Sequence, residues 1–299
     1  MAITEVRASS REYLLLVTEL LQRARLADAD AGLWEAADLQ WWRRTPRRSD
    51  SIDQVLWIDD EGPVASVVLT DWGRAWGCDP VVVAGSSTVP LRAVWARAVE
   101  AIGAAGLETV EVTARDDDFE LLDLLAESGF VADDHQSGIT WMDPEDRPDV
   151  SSLPEGFVLV DRAHDPRTPH PMQRRSGEGV EARLRQCSLY DPGLDLAVEA
   201  ADGQVAGYGL FWFDPVTAVG MVEPMRVEDA YQRRGLARAM LTEGLDRLAQ
   251  RGALRLKVGY ASDVARRLYV GAGFRVTSTS RSYSWRRPPQ GEWKPRLRA

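Results

Sequence analysis

Residues 231–240, YQRRGLARAM, bring two arginines, a glycine and a small residue to the point where an apolar period of helical spacing begins. The first amides of a helix have no partner inside it and point outward with the positive end of the helix dipole. Gly235 and Ala237 leave those amides uncovered, and Arg233 and Arg234 add positive charge, so the stretch has the make-up of a cradle for a phosphate. Without a ligand it is a solvated helix start, and the chain supplies a contrast. At an offset of 146 residues stands SSTVPL (86–91), where Pro90 suits a first helical turn but the open glycine and both arginines are gone.

Around the cradle the elements follow from spacing. Leu236, Met240, Leu241, Leu245 and Leu248 form one helical stripe that stops at Gly252. Upstream, MVEPMRV (221–227) alternates as a strand does, yet Pro224 has no N–H for a ladder. A bulge or splayed strand edge is expected there, the kind of gap a ligand enters.

The offset to SSTVPL belongs to a wider repeat. EGPVASVVLTDW (61–72) and DGQVAGYGLFWF (202–213) each set an acidic-Gly turn before an apolar run and read as hairpins. AGLETVEVT (105–113) and RGALRLKVG (251–259) each place a strand after a helix-ending glycine, and LLAESGF (124–130) and LYVGAGF (268–274) each close a short helix on Gly-Phe. Three matches in one order, at offsets of 141, 146 and 144 residues, indicate one duplicated unit. MDPEDRPDVSSLPEG (142–156) separates the copies as an exposed linker, which sets the expected domains at 1–146 and 147–299. Helical spacing before the first hairpin predicts two helices (about 11–44), with GEGVEARLRQCSLY as their counterpart. Each copy reads as α+β, helices over a mixed sheet.

Composition narrows the function classes. The net charge of −10 repels nucleic-acid backbones and favours cationic partners, so no nucleic acid is expected and amines suit better. Two cysteines without a short-spaced Cys/His cluster support neither a disulfide framework nor a metal site. The absence of a signal pattern and of an apolar run near the ~20 residues of a membrane span predicts a soluble, cytoplasmic protein with no membrane partner. No G-x-S-x-G elbow or G-x-x-x-x-G-K loop occurs, which removes serine-hydrolase and P-loop chemistry.

From Val227 through QRRGLARAM, with EP upstream and ARRLYVGAGF downstream, residues about 157–285 resemble a GNAT-superfamily N-acetyltransferase domain, whose signature is R/Q-x-x-G-x-G/A. Residues about 11–141 resemble a degenerate second copy, as in tandem-GNAT proteins. The resemblance implies two tandem mixed, mainly antiparallel twisted sheets flanked by helices, with acetyl-CoA in the splay between the fourth and fifth strands of the second copy. It implies the pyrophosphate on the amides of Arg233, Arg234, Gly235, Leu236, Ala237 and Arg238, and the pantetheine arm against the backbone of Met225 and Val227. The family's asparagine after the fifth strand is replaced by Ser262 or Asp263, so Ser262 is the cofactor contact expected there.

Acetyl transfer to an amine with a pKa near ~10.4 needs a proton acceptor, and a departing thiolate, whose thiol has a pKa near ~8.5, needs a donor. Glu223, on the strand feeding the cradle, stands where the resemblance implies a water-relaying glutamate. Tyr269 stands at the tyrosine position that the resemblance sets beside the sulfur; its counterpart in the first copy is Leu125. The expected activity is N-acetylation of a small-molecule primary amine without a metal; the alternative is a non-catalytic acyl-CoA-binding sensor. Oligomeric state is left open.

Four further features are expected to be subsidiary. Eight of the eleven tryptophans precede residue 142, and Trp41, Trp42, Trp72 and Trp76 are read mainly as core, with an amine-holding wall as the lesser reading. His135, His164 and His170 are expected in solvated loops and Cys187 in packing. The tail RRPPQGEWKPRLRA is expected to be disordered, with a contact to a ribose phosphate as the lesser reading.

Overall fold

The computed structural model describes residues 3–30, 32–85, 89–166 and 169–288. Residues 86–88 of SSTVPL and the tail from 289 on lie outside the described residues, and with them the readings made of that tail. In the first repeat the elements are β1 (Thr4–Ala8), α1 (Ser10–Ala27), α2 (Ala36–Trp42), β2 (Gln54–Asp59), β3 (Gly62–Asp71), β4 (Trp76–Val82), α3 (Leu91–Ala104), β5 (Thr109–Arg115), α4 (Phe119–Glu127) and β6 (Val131–Met142). In the second they are β7 (Phe157–Asp161), α5 (Gln173–Ser176), α6 (Val180–Leu184), β8 (Asp195–Ala200), β9 (Val205–Asp214), β10 (Val219–Val227), α7 (Leu236–Gln250), β11 (Arg255–Tyr260), α8 (Asp263–Gly271) and β12 (Arg275–Arg286).

The two compact units do not each follow one stretch of chain. Unit 1 takes the chain up to Leu39, Pro46–Ser137 and the segment from Ser278 on; unit 2 takes Gln40–Thr45 and Gly138–Thr277. In unit 1, β1 to β4 pair antiparallel with their neighbours, β4 and β5 pair parallel, and Ser280–Arg286 of β12 lie antiparallel on Thr109–Arg115 of β5. In unit 2, β7 to β10 pair antiparallel, β10 and β11 pair parallel, and Gly138–Met142 of β6 lie antiparallel on β11. Each sheet is therefore completed by the final strand of the other repeat. Both are mixed and mainly antiparallel, with helices against them, as the sequence predicts.

The hairpins form for local reasons. Asp59 Oδ1 accepts from the amides of Glu61 (2.8 Å) and Gly62 (3.0 Å), which closes the β2–β3 turn before the buried apolar run of β3. The five apolar residues of the α7 stripe are all buried against Leu256 and Val258 of β11 and Phe211 of β9. In unit 1, Trp95 of α3 is fully buried, meets Phe130 edge-on at 5.5 Å and donates its indole N–H to Ser128 Oγ at 2.8 Å. Trp285 of β12 joins the same core, 6.5 Å from Phe130 and 5 % exposed.

Trp285 lies in the second repeat by sequence but in unit 1 by packing. Trp285→Ala should therefore cost about 3–5 kcal/mol, the usual range for emptying a buried aromatic site. Urea unfolding followed by near-UV circular dichroism measures this, and a loss below about 1 kcal/mol would contradict the assignment of β12 to the unit 1 core.

Candidate active site

The site begins with a strand that leaves its neighbour. β10 pairs with β11 over three positions only, Val219 with Arg255, Gly220 with Leu256 and Met221 with Lys257. Between Val222 and Met225 its register against β9 shifts, and Met225, Arg226 and Val227 continue on Gly209, Tyr208 and Gly207 of β9. The slipped segment contains Pro224, which has no N–H to give a ladder, so β10 follows β9 and parts from β11. A cavity of about 470 Å³ lies at the parting, bounded by Met225–Val227, by the approach and first turn of α7, and by α8.

The start of α7 shapes one wall. Gly235 caps the helix at φ 84°, left-handed backbone that a side chain tolerates poorly, and a Cβ there would meet nothing within 4 Å. The space before the helix is thus open, and the backbone is glycine's by conformation rather than by crowding. Arg233 also holds a left-handed φ of 60°, a costly state for a residue with a side chain. Arg226, Arg233 and Arg238 all line the cavity, so its charged wall is cationic. Arg238 Nη1 donates to the carbonyl of Gly271 at 3.2 Å, which ties α7 to the end of α8.

Of the residues singled out by sequence, Met225, Val227, Arg233, Gly235, Leu236, Ala237, Arg238, Ser262 and Tyr269 all line this one cavity. Arg234 and Glu223 are not part of that lining. The Arg234 guanidinium lies 5.6 Å from the Tyr231 ring, and its Nη2 donates to the Ala230 carbonyl at 3.3 Å, which braces the approach to the helix. Glu223 sits half-buried in the slipped segment of β10, its carbonyl accepting from Trp212 Nε1 at 2.7 Å. Tyr269 is 7 % exposed and edge-on to Phe274 at 6.2 Å. Burial, joined by the charge of the Glu223 carboxylate, pushes its phenol well above the ordinary range, so it stays protonated at neutral pH. Tyr231, Gln232, Val264, Ala265 and Leu268 also line the cavity. Sequence gave them no separate signal, because an apolar or amide side chain turned to a ligand has the same pattern as one turned to a core.

Ser262 has a local task as well. It caps α8, its Oγ accepting from the amide of Ala265 at 3.2 Å. Cys187 packs as expected: it is buried, and its thiol donates to the Gln40 carbonyl at 3.4 Å. The expectation of solvated loops fails for His170, which is 4 % exposed. Its Nε2 meets Asp195 Oδ2 at 2.9 Å, its Nδ1 accepts from the Met172 amide at 3.1 Å, and Tyr190 Oη donates to the same Asp195 oxygen at 2.8 Å. These partners offset the cost of burying the ring and Asp195 Oδ2, while among the described residues the buried Asp195 Oδ1 has no hydrogen-bond partner; flanking prolines could not reveal this. His164 does stay exposed, on Asp161. Of the tryptophans weighed as an amine-holding wall, Trp41, Trp72 and Trp76 carry guanidinium groups of this chain, Arg44 at 3.8 Å, Arg47 at 4.3 Å and Arg48 at 5.4 Å.

Residues 160–274 match the family model described as Acetyltransferase (GNAT) family. A GCN5-related N-acetyltransferase from Sphaerobacter thermophilus is similar in structure, with a TM-score of 0.61 at 19% identity over 96% of each chain. A tandem GNAT protein from the clavulanic acid biosynthesis pathway gives a TM-score of 0.67 at 16% identity, covering 97% of this chain and 100% of that one. A putative acetyltransferase from Pyrococcus horikoshii gives 0.57 at 14% identity over 96% and 90% of the two chains. No curated protein matches the sequence.

The capping role of Ser262 is measurable apart from any ligand. Ser262→Ala should cost about 1 kcal/mol in a chemical denaturation, and Ser262→Asp, which keeps an acceptor at the cap, should restore most of it. Equal losses in both variants would remove the cap from the account.

Proposed function

We propose, from the match of residues 160–274 to the acetyltransferase (GNAT) family model, that the protein is an acetyl-CoA-dependent N-acetyltransferase acting on a primary amine of a small molecule. One observation carries the reading: the slipped β10 leaves β11 at a single cavity that gathers an open helix start, three arginines and a buried, protonated tyrosine. The residues fit the proposed co-substrate. Gly235 leaves free space in front of the first amides of α7, Arg233 and Arg238 give it a cationic wall, and the part of β10 beyond Met221 is not taken up by β11. Bound there, acetyl-CoA supplies an activated acyl group.

The chain's own residues then divide the proton work. Glu223 takes a proton from the incoming ammonium, directly or through water, so that a neutral amine attacks. Tyr269 holds its proton at Oη throughout the neutral range and gives it to the sulfur as the thioester breaks. Both buried cysteines are free thiols, which fits a reducing cytoplasm. Among the described residues no helix is long and apolar enough to cross a membrane. The acidic balance of the chain favours a cationic acceptor over nucleic acid.

Release of free thiol from acetyl-CoA, followed across a panel of small amines, tests the reading. Amine-dependent release supports it; binding of coenzyme A with no release from any amine would favour a sensor instead. Tyr269→Phe should lower turnover by about 10²-fold or more with the coenzyme A dissociation constant unchanged, since only the proton donor is lost. Gly235→Val should weaken coenzyme A binding at least tenfold, because its side chain strains the left-handed cap and enters the space before the amides. Unchanged constants in both variants would place the chemistry elsewhere.

A further inference from the structure

The first repeat has lost the cradle but kept a cavity. In unit 1, β4 pairs with β5 only at Trp76–Val110 and Gly77–Glu111, and the two strands then part much as β10 and β11 do. A cavity of about 480 Å³ lies at this parting, among α1, β4, β5 and the start of α4. Asp79-Pro80 occupies the position on β4 that Glu223-Pro224 occupies on β10, two residues past the last parallel pair in each case. Where unit 2 sets Tyr269, unit 1 has the fully buried Leu125.

Among the described residues lining the cavity, Asp79 is the carboxylate that the packing encloses, at 7 % exposure. Its Oδ1 accepts from Trp34 Nε1 at 3.0 Å; among the described residues Oδ2 accepts no hydrogen bond. A buried carboxyl with an open oxygen is costly unless something completes it. Among the described residues no cation is paired with Asp79. Of the cations lining the cavity, Arg25 is held by Glu35 at 2.6 Å and Arg115 by Asp117 at 2.6 Å. Burial, with Asp38 of α2 adding its negative charge, raises the Asp79 carboxyl to about 7. The rest of the wall is largely apolar, from Leu21, Leu33, Val82, Val89, Leu91 and Leu121. A phosphate-bearing occupant fits poorly, since α3 begins behind Pro90 and residues 86–90 of the sequence, which stand where unit 2 has its arginines and Gly235, contain neither arginine nor glycine.

We propose that the unit 1 cavity is a second ligand site, which takes a small organic amine by its apolar body and holds its ammonium at Asp79 Oδ2. It is a binding site without transfer chemistry, because Leu125 offers no proton where Tyr269 does. The assignment does not rest on the transferase reading of unit 2.

The probe is 2-phenylethylamine, with 2-phenylethanol as its neutral counterpart, titrated calorimetrically into the full chain at pH 8. The expected result is saturable binding of the amine, at least tenfold weaker binding of the alcohol, and at least tenfold weaker amine binding by Asp79→Asn, which keeps an acceptor for Trp34. Glu223→Gln, altered in unit 2 alone, should retain the amine site. Absence of amine binding by the wild type, equal affinity for the alcohol, or undiminished affinity in Asp79→Asn would each overturn the proposal. So would competition for the site by coenzyme A.

A second measurement needs no variant. Wild-type affinity for the amine should fall about tenfold from pH 8 to pH 6, as Asp79 takes up a proton while the amine stays charged. Tyr13 of α1 and Cys78 of β4 are pushed further above neutrality by burial, with the charge of Asp79 adding to the effect. The other charged groups on the cavity are Arg25, Arg115, Asp118 and Glu120. An affinity constant across this range overturns the assignment to Asp79.

Discussion

The register slip between Val222 and Met225 is the constraint on which the rest of unit 2 depends. A parallel pair that continued past Met221 and Lys257 would bring β10 and β11 to the ~4.8 Å spacing of neighbouring strands and leave no room between them. Because Pro224 cannot donate and the slip turns β10 along β9, the two strands part. The cavity, the exposed helix start at Gly235 and the approach to Tyr269 all exist because of that parting.

The same strand geometry is lined by different residues in the two units. In unit 2 the opening meets a left-handed glycine, three arginines and a tyrosine that burial keeps protonated. In unit 1 it meets Pro90 and a buried aspartate, and the position that matches the tyrosine is a leucine, Leu125, packed in the core. Strand divergence sets where a ligand can lie; the side chains at a few matched positions set what kind of ligand that is. An aspartate with no cation of its own and a cradle of arginines call for occupants of opposite charge.

The buried ion pairs and networks show a related division of labour. Arg25 and Glu35 are both buried and satisfy each other, and His170, Asp195 and Tyr190 form a closed set around one carboxylate oxygen. These groups fix side chains in place at little net gain, as buried polar pairs generally do. Arg238 on the Gly271 carbonyl acts in the same manner at the site itself, linking the cradle helix to the helix that bears Tyr269.

Local signals in the sequence determined much of this protein. The α7 stripe, its glycine start, the hairpins with their acidic turns and the strand containing Pro224 follow from periodicity and backbone chemistry, which act over a few residues. The helix-start motif and the family resemblance it carries named eleven site residues, and nine of them line one cavity. Tertiary structure alone decided that β12 completes the sheet of unit 1 and β6 that of unit 2, since strands of similar pattern fit either edge and only long-range packing chooses. It alone buried His170 and Asp79, whose partners lie 25 and 45 residues away in the chain. Burial of a polar group depends on what folds over it, and that information is spread across the chain rather than held in the neighbouring residues.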